Sequence, residues 1–459
     1  MTRKSHRRCP TRRAMLCIIV LALVSFASAE WKEKVLYSFQ GLPDGSLPAG
    51  GVVFDKMGNL YGATTEGGSN SCLGIGQCGT VYQLAPPAKK GDPWTETVLY
   101  IFRGKNHNDG SLPAGGVIID EAGNLYGTTA YGGAGTCILL GGNVGCGTVY
   151  ELSPPKQKGG AWVETVLYSF PTAKQGYLPN GDLVFDSAGN LYGATEFGGG
   201  HGTTCNSLYQ YCGAVFELSP PKTQGGKWTE KVLHGFRGGT DGANPNGALV
   251  FDAKGAIHGT TYSGGNQTCK GDGYLGCGTA FRLIPPIKKG GAWTETMLHR
   301  FVAGNDGAGP LAGLVFDSGS NAYGTTNGGG TAGIAFKLAP PQDRDRSWKE
   351  TIIHDFGSIR HDAELPGGGF IADAKGDLFG AAPGGAHVRG AVYRLKPPTK
   401  RGGAWAYAIL YNLGGTPDGY QPESALTFDA TGNLYGTTQL GGTGQRCQNG
   451  CGTVFMVMP

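Results

Sequence analysis

Seven tryptophans divide the sequence into units of similar length, and this periodicity constrains the fold more than any other feature. Successive tryptophans are 55 to 68 residues apart, which is longer than the period of the common helical solenoids. A length of 459 residues would otherwise suggest about three domains, but a sevenfold repeat predicts one repeat domain. The units begin at Trp31, Trp94, Trp162, Trp228, Trp293, Trp348 and Trp405.

Each unit contains four short segments with the patterns expected of β-strands. The first, here called the Trp strand, alternates apolar and polar residues, as in the run from Trp94 to Phe102. The second, the Asp strand, is an apolar run that ends in aspartate before a glycine-containing turn. The third strand reads Asn-Leu-Tyr-Gly-Thr-Thr at 124–129, and the fourth reads Gly-Thr-Val-Tyr-Glu-Leu at 147–152. The Asp strands end at Asp55, Asp120, Asp186, Asp252, Asp317, Asp373 and Asp429.

Four antiparallel strands repeated seven times, without a helical pattern, predict an all-β fold, a seven-bladed β-propeller over residues 30–459. The stretch Phe-Asp-x-x-Gly-Asn-Leu-Tyr-Gly is similar to the inner hairpin of NHL-type propeller blades, which implies that the Asp strand is innermost and the Trp strand outermost. The last unit ends after its fourth strand, so residues 31–39 are expected to complete its blade and close the ring. An open solenoid of seven units is the alternative.

The first 29 residues predict a secretory signal peptide. They contain six basic residues and no acid, followed by an apolar run from Ala14 to Phe26 and the small residues 27–29. An uncleaved anchor is the alternative, although the apolar run is short for a membrane span. Without this segment 32 basic residues stand against 34 acidic ones, which argues against nucleic-acid binding. We expect a secreted or periplasmic monomer with no membrane span after cleavage.

Ten of the 12 cysteines form close pairs, each in the loop that precedes a fourth strand. Cys9 and Cys17 lie in the predicted signal peptide. The two units with short loops lack both cysteines, as a bond within each loop requires. Two thiolates per loop are too few for tetrahedral zinc, and export favours disulfides. The predicted disulfides are Cys72–Cys78, Cys137–Cys146, Cys205–Cys212, Cys269–Cys277 and Cys447–Cys451.

The cysteine loops and the blade-to-blade loops are expected on the same face of the propeller. Long loops on a rigid scaffold are the usual place for recognition. The blade-to-blade loops carry aspartates whose carboxylates could gather calcium, but an aspartate that caps its own turn is the simpler interpretation. We expect no other cofactor and no other metal. The candidate residues in these turns are Asp44, Asp109, Asp241, Asp306 and Asp418.

Aromatic residues on this face are further candidates for ligand binding. Tyr131 and Phe197 lie just beyond third strands, and Tyr262 lies one place earlier in its unit. Partly exposed rings beside polar groups can stack on sugars or hold a peptide, although loop packing explains them as well.

Two histidines, His201 and His387, lie in loops on this face and are candidate ligand-binding residues. Three others, His234, His299 and His354, occupy the register that tyrosine holds in four units. We interpret these three as packing residues.

The unit motifs carry a family resemblance. The sequence combines Trp-Thr-Glu-Thr-Val-Leu-Tyr, Asp-Gly-x-x-Pro, Gly-Asn-Leu-Tyr-Gly-Thr-Thr and Cys-Gly-Thr-Val-Tyr-Glu-Leu-x-Pro-Pro. This combination resembles the choice-of-anchor tandem repeat GloVer-containing proteins over residues 31–459. The resemblance implies an exported or surface-attached bacterial repeat protein and supplies no catalytic residues. The chain departs from anchored members in ending at Pro459 without a sorting tail, which leaves surface attachment open.

The sequence favours a binding or interaction module that recognises carbohydrate or a cell-envelope partner through the face with the cysteine loops. The alternative is an extracellular hydrolase or lyase acting on polysaccharide, with its site at the mouth of the central channel. No nucleophile elbow, zinc-protease motif, phosphate loop or nicotinamide fingerprint is present. This favours binding, but active sites on propellers can be assembled from scattered residues, so the question of catalysis stays open.

Overall fold

A computed structural model describes the chain from Glu30 to Pro459 with short gaps. The gaps are 70–71, 73–75, 140, 200–211, 224, 267–268, 270–275, 289, 343–346, 386–388 and 401. The predicted signal peptide lies outside the described residues. No helix in the described part of the chain is long and apolar enough to cross a membrane.

Seven antiparallel four-stranded sheets form a ring, which confirms the predicted seven-bladed β-propeller. The order within each blade also agrees with the prediction. The Asp strand is innermost, the third and fourth strands follow, and the Trp strand of the next unit is outermost.

The strand bounds follow this order from the centre outwards. Blade 1 contains Gly45–Phe54, Leu60–Gly67, Thr80–Ala85 and Thr95–Ile101. Blade 2 contains Gly110–Pro113, Ile118–Ile119, Leu125–Gly132, Thr148–Ser153 and Val163–Ser169, with a small hairpin of Ile138–Leu139 and Gly142–Asn143. Blade 3 contains Tyr177–Phe185, Leu191–Phe197, Ala214–Ser219 and Thr229–Gly235. Blade 4 contains Gly242–Pro245, Val250–Phe251, Ile257–Gly264, Thr279–Ile284 and Thr294–Arg300.

The remaining blades have shorter inner strands. Blade 5 contains Val315–Phe316, Ala322–Thr326, Ile334–Ala339 and Lys349–Asp355. Blade 6 contains Ile371–Ala372, Leu378–Ala382, Ala391–Lys396 and Ala406–Asn412, with the added pair Ala363–Glu364 and Gly384–Gly385. Blade 7 contains Thr427–Phe428, Leu434–Thr438, Thr453–Met458 and Lys32–Ser38, with the added pair Gly419–Tyr420 and Leu440–Gly441. Two short 3₁₀ helices span Lys105–His107 and Gly304–Asp306.

The ring closes through the first strand, as predicted. Lys32–Ser38 pairs antiparallel with Thr453–Met458, so that Lys32 lies opposite Met458. On the inner side, the hydroxyl of Thr437 donates a 2.9 Å hydrogen bond to the carbonyl of Gly50. The first strand therefore completes blade 7, and blade 7 contacts blade 1 at the channel.

The core lies between neighbouring blades and is rich in aromatic rings. Phe102, at the end of the outer strand of blade 1, packs edge-on against Tyr150 of blade 2 with ring centroids 5.1 Å apart, and both are fully buried. Trp162 contacts Tyr61 across the same interface at 6.1 Å. The tryptophans that mark the repeat thus bind successive blades together.

Candidate functional site

The cysteine loops and the aspartate turns meet on one face, as expected. The carbonyl of Cys78 accepts a 2.9 Å hydrogen bond from the amide of Leu112 in the next blade-to-blade turn. The carbonyl of Cys451 does the same for Leu47 at 3.0 Å. The cysteine loops are thereby held beside the entrance of the channel.

Four of the predicted disulfides are present in the structure. They are Cys72–Cys78, Cys137–Cys146, Cys269–Cys277 and Cys447–Cys451. The fifth predicted pair includes Cys205, which lies outside the described residues. Each observed bond closes one loop and none joins two blades.

The aspartates of the blade-to-blade turns are engaged in hydrogen bonds within the protein. Asp109 is 2% exposed. Its Oδ2 accepts bonds from the Arg103 amide at 2.8 Å and the Tyr100 hydroxyl at 2.9 Å, and its Oδ1 accepts one from the Gly110 amide at 2.6 Å. Asp44 and Asp418 accept corresponding bonds from a backbone amide and a tyrosine hydroxyl. These contacts agree with the turn-cap interpretation.

A glutamate from the following blade approaches each of these turns at most junctions. Burial, reinforced by the neighbouring carboxylate of Asp109, raises the pKa of Glu164 to about 7. The same causes, with Asp44 as the neighbour, raise the pKa of Glu96 to about 7. The raised pKa favours the protonated form of each glutamate beside its aspartate.

Histidine replaces tyrosine at three junctions, and at two of them the turn aspartates Asp241 and Asp306 share the imidazole with a glutamate. The groups are His234 with Asp241 and Glu295, and His299 with Asp306 and Glu350. In the described part of the chain, these are the clusters of three ligand-type side chains close enough to hold a metal ion. None of the six residues lines the channel.

The predicted aromatic residues are placed differently from one another. Phe197 is 5% exposed, so the expectation of a partly exposed ring is wrong at this position. It lies against Tyr177, which in turn contacts Tyr131 with ring centroids 6.0 Å apart. Tyr131 and Tyr262 are half-buried. Both predicted histidines, His201 and His387, lie outside the described residues.

The central channel forms a cavity of about 610 Å³ lined by the inner edges of all seven blades. The inner strands approach so closely that several lining positions require glycine. A Cβ atom added to Gly50 would lie 2.0 Å from the amide nitrogen of Gly116, and one added to Gly247 would lie 2.3 Å from the carbonyl carbon of Ala312. Small residues at these positions are thus a condition of closure.

Polar side chains of blades 3 and 4 also line the channel. The Asn180 amide group donates a 3.1 Å hydrogen bond to Oδ1 of Asn246 in the next blade. Asp182 follows two residues later and accepts a 2.6 Å bond from the Gly116 amide. Burial raises the pKa of Asp182 despite this bond.

A second polar group reaches the channel from blade 7. Oε2 of Glu423 accepts a 2.8 Å hydrogen bond from the amide group of Gln439. Glu423 is solvent exposed, yet the surrounding protein displaces enough water to raise the pKa of its carboxyl group. Both residues line the same cavity as Asp182.

These channel residues were missed by the sequence analysis, although a signal was available. Each follows the proline of an Asp-Gly-x-x-Pro-type turn by one to three positions, where most other units carry glycine or alanine. Aligning the seven units on that proline isolates Asn180, Asp182, Asn246 and Glu423 as polar departures from the pattern.

The repeat pattern also matches a protein family. The model for the Gloeobacter/Verrucomicrobia repeat matches residues 22–204 and 134–382. The chain belongs to this repeat family. Membership in the Gloeobacter/Verrucomicrobia repeat family agrees with the resemblance found in the motifs and with the repeated blade. No curated protein matches the sequence.

Three solved structures are similar to this member of the repeat family. A gluconolactonase from Xanthomonas campestris has 16% identity, covers 68% of this chain and 78% of its own, and has a TM-score of 0.34. A putative oxidoreductase described as a glucose dehydrogenase, from Thermus thermophilus, has 15% identity, coverage of 93% and 100%, and a TM-score of 0.41. A further protein described as a gluconolactonase has 12% identity, coverage of 94% and 92%, and a TM-score of 0.36. No substrate is transferred from them to this chain.

Proposed function

We propose that the protein is an exported binding module that takes a carbohydrate ligand into the central channel from the face with the cysteine loops. The observation that carries this proposal is the presence of amide and carboxylate side chains from blades 3, 4 and 7 in a channel whose other lining is mainly glycine, alanine and aliphatic side chains. Seven repeated units would give the channel seven similar linings. The polar residues Asn180, Asp182, Asn246 and Glu423 depart from the repeat pattern, so the fold alone does not explain them.

The chemistry of these side chains fits a polyhydroxylated ligand. Amide groups donate and accept hydrogen bonds, and carboxylates accept them, so the lining can pair with hydroxyls that act in both ways. Asn180 and Asn246 are half-buried and Glu423 is exposed, which leaves their polar atoms within reach of a ligand in the cavity. A cavity of about 610 Å³ accommodates a short oligosaccharide segment.

Export is the second part of the proposal. The four disulfides are typical of an oxidising compartment, and the predicted signal peptide provides a route to one. A cell-envelope glycan is therefore the first ligand to test.

A glycan array followed by calorimetric titration of the best ligand tests the binding function. We expect Asn180→Ala combined with Asn246→Ala to weaken binding at least tenfold, because both amide groups leave the channel wall. Met57→Ala is the matched control, since Met57 is 79% exposed in the turn at the far end of an inner strand. Unchanged affinity in the double variant, or no glycan bound by the wild type, would contradict the proposal.

One observation favours a hydrolase or lyase as a second candidate function. Asp182 and Glu423 are two carboxyl groups with raised pKa values in one cavity, and such groups can act as general acids or bases. Release of reducing ends from the bound polysaccharide would test it. Glu423→Gln and Asp182→Asn are then expected to abolish turnover and to retain most of the binding.

A further inference from the structure

Two neighbouring blade junctions bring an imidazole and two carboxyl groups together from three separate segments. At the junction of blades 3 and 4, His234 comes from the outer strand Thr229–Gly235, Asp241 from the following turn, and Glu295 from the outer strand of blade 4. We propose that this group and its counterpart at the next junction each bind a divalent transition-metal ion of the zinc type. The proposal is independent of the function proposed for the channel.

The spacing of the first group suits tetrahedral coordination. Nε2 of His234 lies 3.5 Å from Oδ1 of Asp241 and 3.8 Å from Oε2 of Glu295. Bonds of about 2.0–2.1 Å to a tetrahedral zinc ion separate neighbouring ligand atoms by about 3.3–3.4 Å. A contraction of a few tenths of an ångström therefore converts the observed spacing into that of a coordinated ion.

Unsatisfied polar atoms at this junction provide a second, separate observation. Nε2 of His234 and Oδ1 of Asp241 lie 3.5 Å apart, and both are buried without a hydrogen-bond partner in the described part of the chain. Buried polar atoms are normally paired, because leaving one unpaired costs about 1–3 kcal/mol. A bound cation would satisfy the imidazole nitrogen and the carboxylates at once.

The second group has the same composition and the same backbone contact to its aspartate. Nε2 of His299 lies 3.1 Å from Oδ1 of Asp306 and 3.6 Å from Oε2 of Glu350. The amide of Val302 donates a 2.7 Å hydrogen bond to Oδ2 of Asp306. Outer contacts of this kind fix the orientation of a carboxylate ligand. Here both Oδ1 and Oδ2 of Asp306 lie at hydrogen-bond distance from Nε2 of His299, at 3.1 and 3.2 Å.

The other junctions show that the fold does not require histidine here. Tyrosine holds the position in four units and donates its hydroxyl to the turn aspartate in three of them, as Tyr100 does to Asp109. Burial raises the pKa of Tyr100, so its phenol stays protonated and is a poor ligand. At the junction with His354, Tyr407 replaces the glutamate. Two of the seven junctions in the described structure therefore supply all three ligands.

The donor set selects the class of ion. Calcium and magnesium prefer oxygen ligands alone, whereas imidazole nitrogen with carboxylate oxygen suits zinc and its transition-metal neighbours. Three protein ligands leave a coordination position for water.

The test measures zinc stoichiometry on purified protein that has been stripped with chelator and dialysed against buffered Zn²⁺. We expect two ions per chain by elemental analysis, one in His234→Tyr, one in His299→Tyr and none in the double variant. Tyrosine is the residue that the chain itself uses at this position, so the variants are expected to fold. Their metal-free melting temperatures should match that of the wild type, whose melting temperature should rise on adding Zn²⁺.

Two further variants test the sites, one by adding a ligand and one by removing a charge. Tyr100→His should add a third ion, because Asp109 and Glu164 are already in place at that junction. Glu295→Gln keeps the shape of the side chain and should weaken one site at least tenfold. Wild-type protein that binds no zinc, or zinc retained in full by the double tyrosine variant as an adventitious ion only, would overturn the proposal.

Discussion

The Tyr100 hydroxyl donates a 2.9 Å hydrogen bond to Asp109, and this bond ties the outer edge of one blade to the turn that leads into the next. Glu164 of that next blade adds a second carboxyl group to the same junction. Because related clusters occur around the ring, their protonation affects the whole propeller.

We expect the free energy of unfolding to fall as the pH rises from about 4.5 to about 7. The pKa of Glu164 rises from 4.5 to about 7 on folding, so the folded state holds a proton that the unfolded state loses. The stabilisation is complete below pH 4.5 and is lost as the pH passes 7. Glu164→Gln should therefore stabilise the protein by about 1–2 kcal/mol at pH 8 and leave it unchanged at pH 4.

Urea unfolding at several pH values measures this effect. Glu121→Gln is the control, because Glu121 is exposed on the neighbouring turn. Equal stability of Glu164→Gln and the wild type at pH 8 would show that folding does not raise the pKa of Glu164.

Ring closure predicts that the first strand matters as much as an internal one. Phe39 is fully buried and its ring centroid lies 5.0 Å from that of Tyr82, matching the contact of Phe102 with Tyr150. Phe39→Ala and Phe102→Ala should each lower the free energy of unfolding by about 3–5 kcal/mol. A loss below about 1 kcal/mol for Phe39→Ala alone would indicate that the ring is open in solution.

Leucines in left-handed backbone conformation offer a stabilising substitution. Leu365 has φ 59° and is 47% exposed, and the corresponding residue one turn earlier in the series of blades is glycine, Gly309. Asn244 occupies this position in blade 4 with φ 58°. Since asparagine tolerates this conformation better than leucine, Leu365→Asn should raise the free energy of unfolding by about 1 kcal/mol.

Thermal unfolding of Leu365→Asn beside Ile359→Asn checks the cause. Ile359 is 55% exposed and its backbone is not left-handed, so removing its apolar side chain should bring no comparable gain. Equal gains in both variants would point to the loss of an exposed apolar side chain instead of backbone conformation.

The disulfides should stabilise their own loops and leave the blades intact. Cys137→Ser combined with Cys146→Ser should lower the free energy of unfolding by about 2 kcal/mol, since the bond closes a short loop. The circular dichroism spectrum should keep its β-sheet form. Titration of free thiols in the unfolded wild type is the accompanying measurement, and reactive thiols from these two residues would contradict the bond.

The fold was largely predictable because every unit repeats the same strand and turn motifs. The order of strands followed from the resemblance of the Asp-strand hairpin to the inner hairpin of NHL-type blades, and the missing outer strand of the last unit identified the closing segment. The role of the aspartates that end the Asp strands was also predictable. Asp55, for example, caps its turn by accepting hydrogen bonds from the amides of Met57 and Asn59. Seven copies make local patterns visible that one copy would not reveal.

The sites were harder to predict because they depend on contacts between units. The proximity of His234 to Glu295 arises where adjacent blades pack, and the two residues are far apart in sequence. The left-handed conformation of Leu112 is likewise set by its tertiary hydrogen bond to Cys78, against the preference of leucine. Phe197 shows the reverse error, since a residue expected beyond the third strand is the last residue of that strand and is buried.

The pairing of Lys32–Ser38 with Thr453–Met458 also sets the timing of assembly. A growing polypeptide releases the earlier partner while most of the blades are still unmade. That strand has to wait unpaired until the ribosome has delivered the later one. The seventh blade is consequently the last to form. A chain that lacks the later strand has an unpaired strand edge, which proteases and chaperones can recognise.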